Sequence, residues 1–130
     1  MSGDPPVDTV SADDPDGITE VIRFDVVDHG DDARVVHVVG EIDTLTAPVL
    51  RAHLDEQIAA VRLLVLDLSD VTFLGSAGLA VLVAAKDDAD RREHHLRLVC
   101  GSRIVTRALQ ATGLLTLFHT ADGVPEALDA

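Results

Sequence analysis

The chain has 130 residues, a formal net charge of −13 at pH 7 and an isoelectric point near 4.5, so it would repel a phosphate backbone or an anionic lipid surface and is not expected to bind nucleic acid or membrane. Its length fits one ordinary domain; no apolar run approaches the roughly 20 residues of a spanning helix, and the opening MSGDPPVDTV lacks the features of a signal peptide, so a cytoplasmic protein with a protein partner is expected. A single cysteine, Cys100, excludes an internal disulfide and a cysteine-based metal cluster, and with only Phe24, Phe73 and Phe118 as aromatics the core must be aliphatic.

Residues 1–17 set Asp4, Asp8, Asp13, Asp14 and Asp16 among Pro and Gly. With too few apolar side chains to offset the entropy of ordering, they are expected to form a disordered acidic tail ahead of a single domain over 18–130. From Glu20, VIRFDVVD alternates apolar and polar positions and is rich in β-branched residues. After the turn residues His29, Gly30, Asp31 and Asp32, RVVHVVGEI does so again, which predicts a hairpin. TLTAPVLRAHLDEQIAAV offers Thr44 or Thr46 as cap and Pro48 in the first turn, and sets Leu50, Leu54, Ile58 and Val61 on one face of an amphipathic helix. RLLVLDLS is almost continuously apolar, as in a central strand covered on both faces.

The link DVTFLG then leads into SAGLAVLVAAKDDADRRE, a second helix with Ser76 as its potential cap, Leu79, Leu82 and Val83 as apolar positions and a wet, mixed-charge end from Lys86 to Glu93. HLRLVC predicts a strand in which Cys100 reads as a core thiol. SRIVTRALQATG predicts a helix capped by Ser102 with Gly113 past its end; LLTLFHT predicts a short strand and GVPEALDA a last helical turn. Strands alternating with helices after a hairpin give an α/β fold: one mixed sheet of four or five strands, the later ones parallel, with about four helices.

In such a sheet, functional groups gather at the carboxyl ends of the parallel strands and at the helix N-termini that follow. Two stretches qualify: Gly40 to Thr44, and Phe73 to Gly78. Ser76 reads either as a plain helix cap or as a modification site, where an attached phosphate would meet unpaired N–H groups and the positive end of the helix dipole. A hydrolase nucleophile elbow, G-x-S-x-G, fails because Leu74 stands where the first glycine is required. Asp43 reads as a cap or as a partner contact. Asp67-Leu68-Ser69-Asp70 lacks the second acid of an aspartyl phosphotransfer site, and Asp70 reads as a turn residue. The histidines at 29, 37, 53, 94, 95 and 119 show no zincin spacing, His94 and His95 marking a solvent-facing corner, so no metal is expected.

LVLDLSDVTFLGSAGLAVLV resembles the signature of the STAS family, and specifically of its anti-sigma factor antagonists. VVGEIDTLTAP resembles the family's strand-to-first-helix loop, and SRIVTRALQATGLLTLFHT with Glu126, Ala127 and Leu128 its C-terminal part, so the similarity covers about residues 20–129. The resemblance implies the STAS fold and a non-enzymatic protein without cofactor. It implies an antagonist that binds an anti-sigma factor, a serine kinase of the histidine-kinase-like ATPase fold, and so releases a sigma factor. That kinase, which carries the ATP, phosphorylates the antagonist and ends the complex; a phosphatase of the PP2C type restores it. The phosphorylated serine falls on Ser76, with Gly78 and Leu79 after it and the loop aspartate on Asp43; the partner-binding set is Asp43, Thr44, Gly75, Ser76, Ala77, Gly78 and Leu79. Many members carry an aspartate where this chain has Gly75, and a constitutive scaffold or subunit of a signalling or lipid-transport assembly, not phosphorylated, is the alternative.

Overall fold

A computed structural model of the chain describes residues 22–129. The acidic tail expected over 1–17 lies outside the described residues. The chain enters through the predicted hairpin, strand β1 (Ile22–Asp28) running antiparallel to β2 (Ala33–Ile42), with Ile22 opposite Gly40 and Asp28 opposite Arg34. Gly30, at φ +80°, supplies the left-handed turn residue between them. Ile22 and Phe24 are buried while Arg23 between them is exposed, the period of two that fixes the register.

Helix α1 (Ala47–Ala60) leads to the central strand β3 (Leu63–Leu74), α2 (Ser76–Arg91) to β4 (His95–Val99), and α3 (Arg103–Ala111) through a short 3-10 turn to β5 (His119–Ala121) and α4 (Val124–Asp129). The strands lie in the order β1-β2-β3-β4-β5, with every pair after the hairpin parallel. This is the mixed sheet with four helices that the alternation predicted. Leu50, Leu54 and Ile58 of α1, Leu79 and Leu82 of α2, and Val105 and Leu109 of α3 all join the main core against Leu64, Leu66 and Leu68 of β3. Since side chains alternate along a strand, Val65 points to the other face, where Val35, Val99 and Ala127 of α4 form a smaller cluster. Fully burying a Leu or Ile is worth about 1.5 to 3 kcal/mol, so the larger layer dominates the stability.

Three local expectations need correction. The central strand does not stop before a link: it runs on through Asp70, Val71, Thr72 and Phe73 to Leu74, still paired with β2. Two irregularities, between His37 and Val39 and between Gly40 and Glu41, insert extra residues into β3, so its outer half loses the alternation that marks a strand. LLTLFHT is a 3-10 turn followed by a strand of 3 residues. The third correction concerns Ser76: the helix cap is Gly75, and Ser76 is the first helical residue.

Candidate functional site

The parallel pairing of β2 and β3 persists to their last residues, Glu41 opposite Phe73 and Ile42 opposite Leu74. The segments leaving these strands, 43–46 and 75–78, are therefore neighbours at the carboxyl edge of the sheet. They are also bonded: the Gly75 N–H donates to the Ile42 carbonyl at 2.9 Å. A side chain at Gly78 would stand 2.4 Å from Ile42 Cγ2 and 2.7 Å from Leu74 Cδ1, so only glycine lets the first turn of α2 sit this close to the end of β2.

The first segment closes upon itself. Asp43 Oδ1 accepts from the backbone N–H of Leu45 at 2.9 Å and of Thr46 at 3.0 Å. The Thr46 hydroxyl, fully buried, accepts from the Asp43 N–H at 2.8 Å and donates to the Glu41 carbonyl at 2.8 Å. Thr46 is the cap of α1 by position, yet its side chain makes no cap bond to the helix because it turns back into the loop. The N–H of Thr46 above all, with that of Leu45, holds the Asp43 carboxyl below its ordinary pKa against the opposing effect of burial. Asp43 is thus ionised and internally bonded, while Thr44 is exposed beside it.

The second segment is different. Gly75 caps α2 in extended backbone, and Ser76 at the first helical position has an exposed side chain that accepts no cap bond and has no hydrogen-bond partner among the described residues. Helix geometry leaves the N–H groups of the first turn without intrahelical acceptors, and the first turn of α2 contains no acid to complement the dipole. Ala77 is partly buried, and Gly78 and Leu79 are buried, so these last two position the helix from below.

Two exposed apolar side chains at this edge, one in the 43–46 segment and one at the end of β3, were not singled out from the sequence as binding residues. Leu45 is 68% exposed and Phe73 is 49% exposed. A Cβ at Gly75 would lie 3.1 Å from the Phe73 ring, so the ring rests over the residue that precedes Ser76. For Leu45 a signal existed: it falls outside the spacing of Leu50, Leu54 and Ile58, so the helix stripe does not account for it. For Phe73 the irregular register concealed on which side of the strand it emerges.

The remaining candidates lie elsewhere. Asp67 points to the face of the smaller cluster; its Oδ2 meets His37 Nδ1 at 2.7 Å and its Oδ1 accepts from the Ser69 N–H at 3.0 Å and hydroxyl at 2.6 Å. Both of its oxygens are engaged within the sheet. Cys100 packs against the main core, half-buried, and burial pushes its thiol up to about 11, which leaves little thiolate at neutral pH. At the helix-to-strand corner His95 is exposed, whereas His94 is tied by Nδ1 to the Ile58 carbonyl at 2.8 Å.

Comparison with known proteins shows the family. The family model of the STAS domain matches residues 24–127. The anti-sigma-F factor antagonist RsfB of Mycobacterium tuberculosis is 35% identical over 115 residues, covering 88% of this chain and 89% of that protein. An anti-sigma-B factor antagonist of Listeria monocytogenes is 32% identical over 94 residues, covering 72% of this chain and 82% of its own. A crystal structure of an anti-sigma factor antagonist from Mycobacterium paratuberculosis superposes with a TM-score of 0.77 at 35% identity, covering 85% of this chain and 93% of that one. On the match of the family model over most of its length and the relatives it resembles, the chain belongs to the STAS domain family.

Proposed function

We propose that this chain is an anti-sigma factor antagonist: it binds an anti-sigma factor through the carboxyl edge of its sheet and is switched off by phosphorylation of Ser76. The observation that carries the reading is the free, exposed hydroxyl at the first position of α2, at a sheet edge that also exposes the apolar side chains Leu45 and Phe73. The apolar pair supplies contact area, and the hydroxyl supplies the point of control. The relatives named as anti-sigma factor antagonists support the partner class.

Phosphorylation would add about 1.5 to 2 negative charges and three acceptor oxygens. Within the chain this is tolerated, because the unpaired N–H groups and helix dipole at that end favour an anion. At an interface closed over Ser76 it is not tolerated, since a desolvated phosphate without cationic partners costs several kcal/mol. The partner is a serine kinase that brings its own ATP, and a PP2C-type phosphatase reverses the modification; the chain itself, acting in the cytoplasm, catalyses neither step. Asp43 and Thr44 form the second lip of the contact, and Asp43 acts mainly by holding its loop in shape. Gly75, overlain by the Phe73 ring, leaves the site without the carboxylate many relatives carry, which favours a kinase with an apolar pocket at that point.

The test compares binding of candidate anti-sigma kinases of the same genome to wild type, Ser76→Ala and Ser76→Asp by calorimetry. Ser76→Ala should bind as wild type does, and Ser76→Asp should lose about 100-fold, equivalent to about 2.7 kcal/mol. Equal affinity for all three would remove Ser76 from the interface.

A further inference from the structure

Charge is unevenly distributed along this chain, in a way the Ser76 site does not use. Although the chain carries 23 acids in 130 residues, none lies between Glu93 and Asp122, a stretch that holds Arg97, Arg103 and Arg107. Residues 1–20 are the converse, with Asp4, Asp8, Asp13, Asp14, Asp16 and Glu20 and no Lys or Arg. In the fold, Arg23, Arg34, Arg51, Lys86, Arg91 and Arg92 each pair with a carboxylate, and Arg97 donates to the Ala127 carbonyl at 2.7 Å. Arg103 and Arg107 are exposed and pair with no carboxylate among the described residues. They stand one turn apart on the side of α3 away from the buried Val105 and Leu109, and Ile104, 46% exposed, lies beside them. The outer face of α3 is a cationic patch with an apolar side chain at its border, on a strongly acidic protein.

Topology brings a complementary segment to the same edge. Ile22 pairs with Gly40, near the end of β2, so the chain before Ile22 joins the sheet at its carboxyl edge. Helix α3 starts from that edge too, just after Val99 ends β4. Twenty residues extend to about 65 to 70 Å, several times the radius of gyration of about 13 Å expected for a domain of this size, so reach is not limiting. Tethering also raises the effective concentration of the segment to the millimolar range, where weak contacts suffice. Among its acids the segment carries Val7 and Val10. Arg62, which also has no carboxylate partner among the described residues, stands at the start of β3, on the opposite edge.

We propose that the acidic N-terminal segment, residues 1–20, docks on the outer face of α3, with its carboxylates on Arg103 and Arg107 and its valines against Ile104. The test uses the full chain with a spin label on Ser11→Cys in a Cys100→Ala background, read by paramagnetic relaxation of backbone amides. In 0.1 M salt the amides of Arg103 to Gln110 should relax faster than those of Gly30 to Asp32, the hairpin turn on the opposite edge. The double variant Arg103→Glu/Arg107→Glu should lower that enhancement at least about threefold, as should 1 M salt, which shortens the screening length from about 10 Å to about 3 Å. Arg62→Glu should leave it unchanged. Combining the double reversal with Lys at Asp4, Asp8, Asp13, Asp14 and Asp16 should restore it, which also answers any objection that the α3 variant is misfolded. An enhancement on α3 no greater than that at the hairpin turn, or one indifferent to the charge reversal, overturns the proposal.

Discussion

The two segments at the carboxyl edge begin alike, each leaving a parallel strand and entering a helix, and then differ in what they do with their polar groups. In 43–46 the Asp43 carboxylate and the Thr46 hydroxyl are bonded to their own loop, and the loop's apolar residue, Leu45, points outward. In 75–78 the support comes from the backbone bond of Gly75 to Ile42 and the packing of Gly78 against Ile42 and Leu74, and the polar group of Ser76 is left unused. The difference teaches that the same strand-to-helix turn can be held by its own polar side chains or by packing and a backbone bond; the second leaves the Ser76 hydroxyl without an intramolecular bond, and the proposed switch rests on that feature.

This contrast predicts where substitutions act. The largest effect on stability should come from Gly78→Ala, because the new methyl meets Ile42, which is fully buried and β-branched and so cannot swing aside. Overpacking of this kind costs about 1 to 3 kcal/mol even though alanine is the better helix former by about 1 kcal/mol. A net loss of up to about 2 kcal/mol should appear in urea unfolding, and an unchanged midpoint would mean that α2 has room to shift. Next comes Thr46→Val, isosteric but without the hydroxyl, which leaves the Asp43 N–H and the Glu41 carbonyl without this partner. A buried group so deprived costs about 1 to 3 kcal/mol, and the lower end is expected because water can reach the loop. Amide exchange at Asp43 and Leu45 should rise while that at Ser76 to Leu79 stays as it was.

Phe73→Ala should separate binding from folding. The ring is half exposed over Gly75 and is not part of the buried core, so thermal unfolding should move little, within about 0.5 kcal/mol. Affinity for the anti-sigma factor should fall about tenfold, or about 1.4 kcal/mol. A loss of stability without a loss of affinity would reassign the ring to the fold.

How much of this was legible in the sequence depends on where each signal comes from. The hairpin, the amphipathic stripe of Leu50, Leu54 and Ile58, and the cap of α3 by Ser102, whose hydroxyl accepts from the Val105 N–H at 3.4 Å, follow from local spacing, and the fold reproduces them. The extension of β3 to Leu74 was hidden because the extra residues break its alternation and because Asp70, Thr72 and Gly75 read as loop chemistry. Likewise LLTLFHT has the apolar density of a strand, yet only its end finds a neighbour, His119 to Ala121 against Arg97 to Val99. At the site, the motif singled out Ser76 and Asp43, but the cap assignment of Ser76 was off by one residue. That residue decides whether its hydroxyl is engaged or free, and it is set by how far a strand runs, which is a tertiary matter.

The smallest effect expected is a pH dependence. The folded-state pKa of Asp43 lies below its ordinary value, chiefly through the Thr46 N–H. Its stabilisation is therefore fully present above the ordinary carboxyl range near pH 4 and is lost as the pH falls through the lower folded value. Between pH 5 and pH 3 the wild type should lose slightly more stability than Asp43→Asn, whose amide oxygen can accept the same bonds without titrating; parallel curves would show that the loop does not depend on the charge.

The central claim is that Ser76 is the residue through which this protein is controlled. Its most direct test is to incubate wild type and Ser76→Ala with ATP and the candidate anti-sigma kinases of the same genome, and to locate any added phosphate by intact-mass and peptide mass spectrometry. The account predicts one phosphate, on Ser76 and absent from the alanine variant. A stable complex with no phosphate on wild type, or a phosphate that persists in Ser76→Ala, would contradict it.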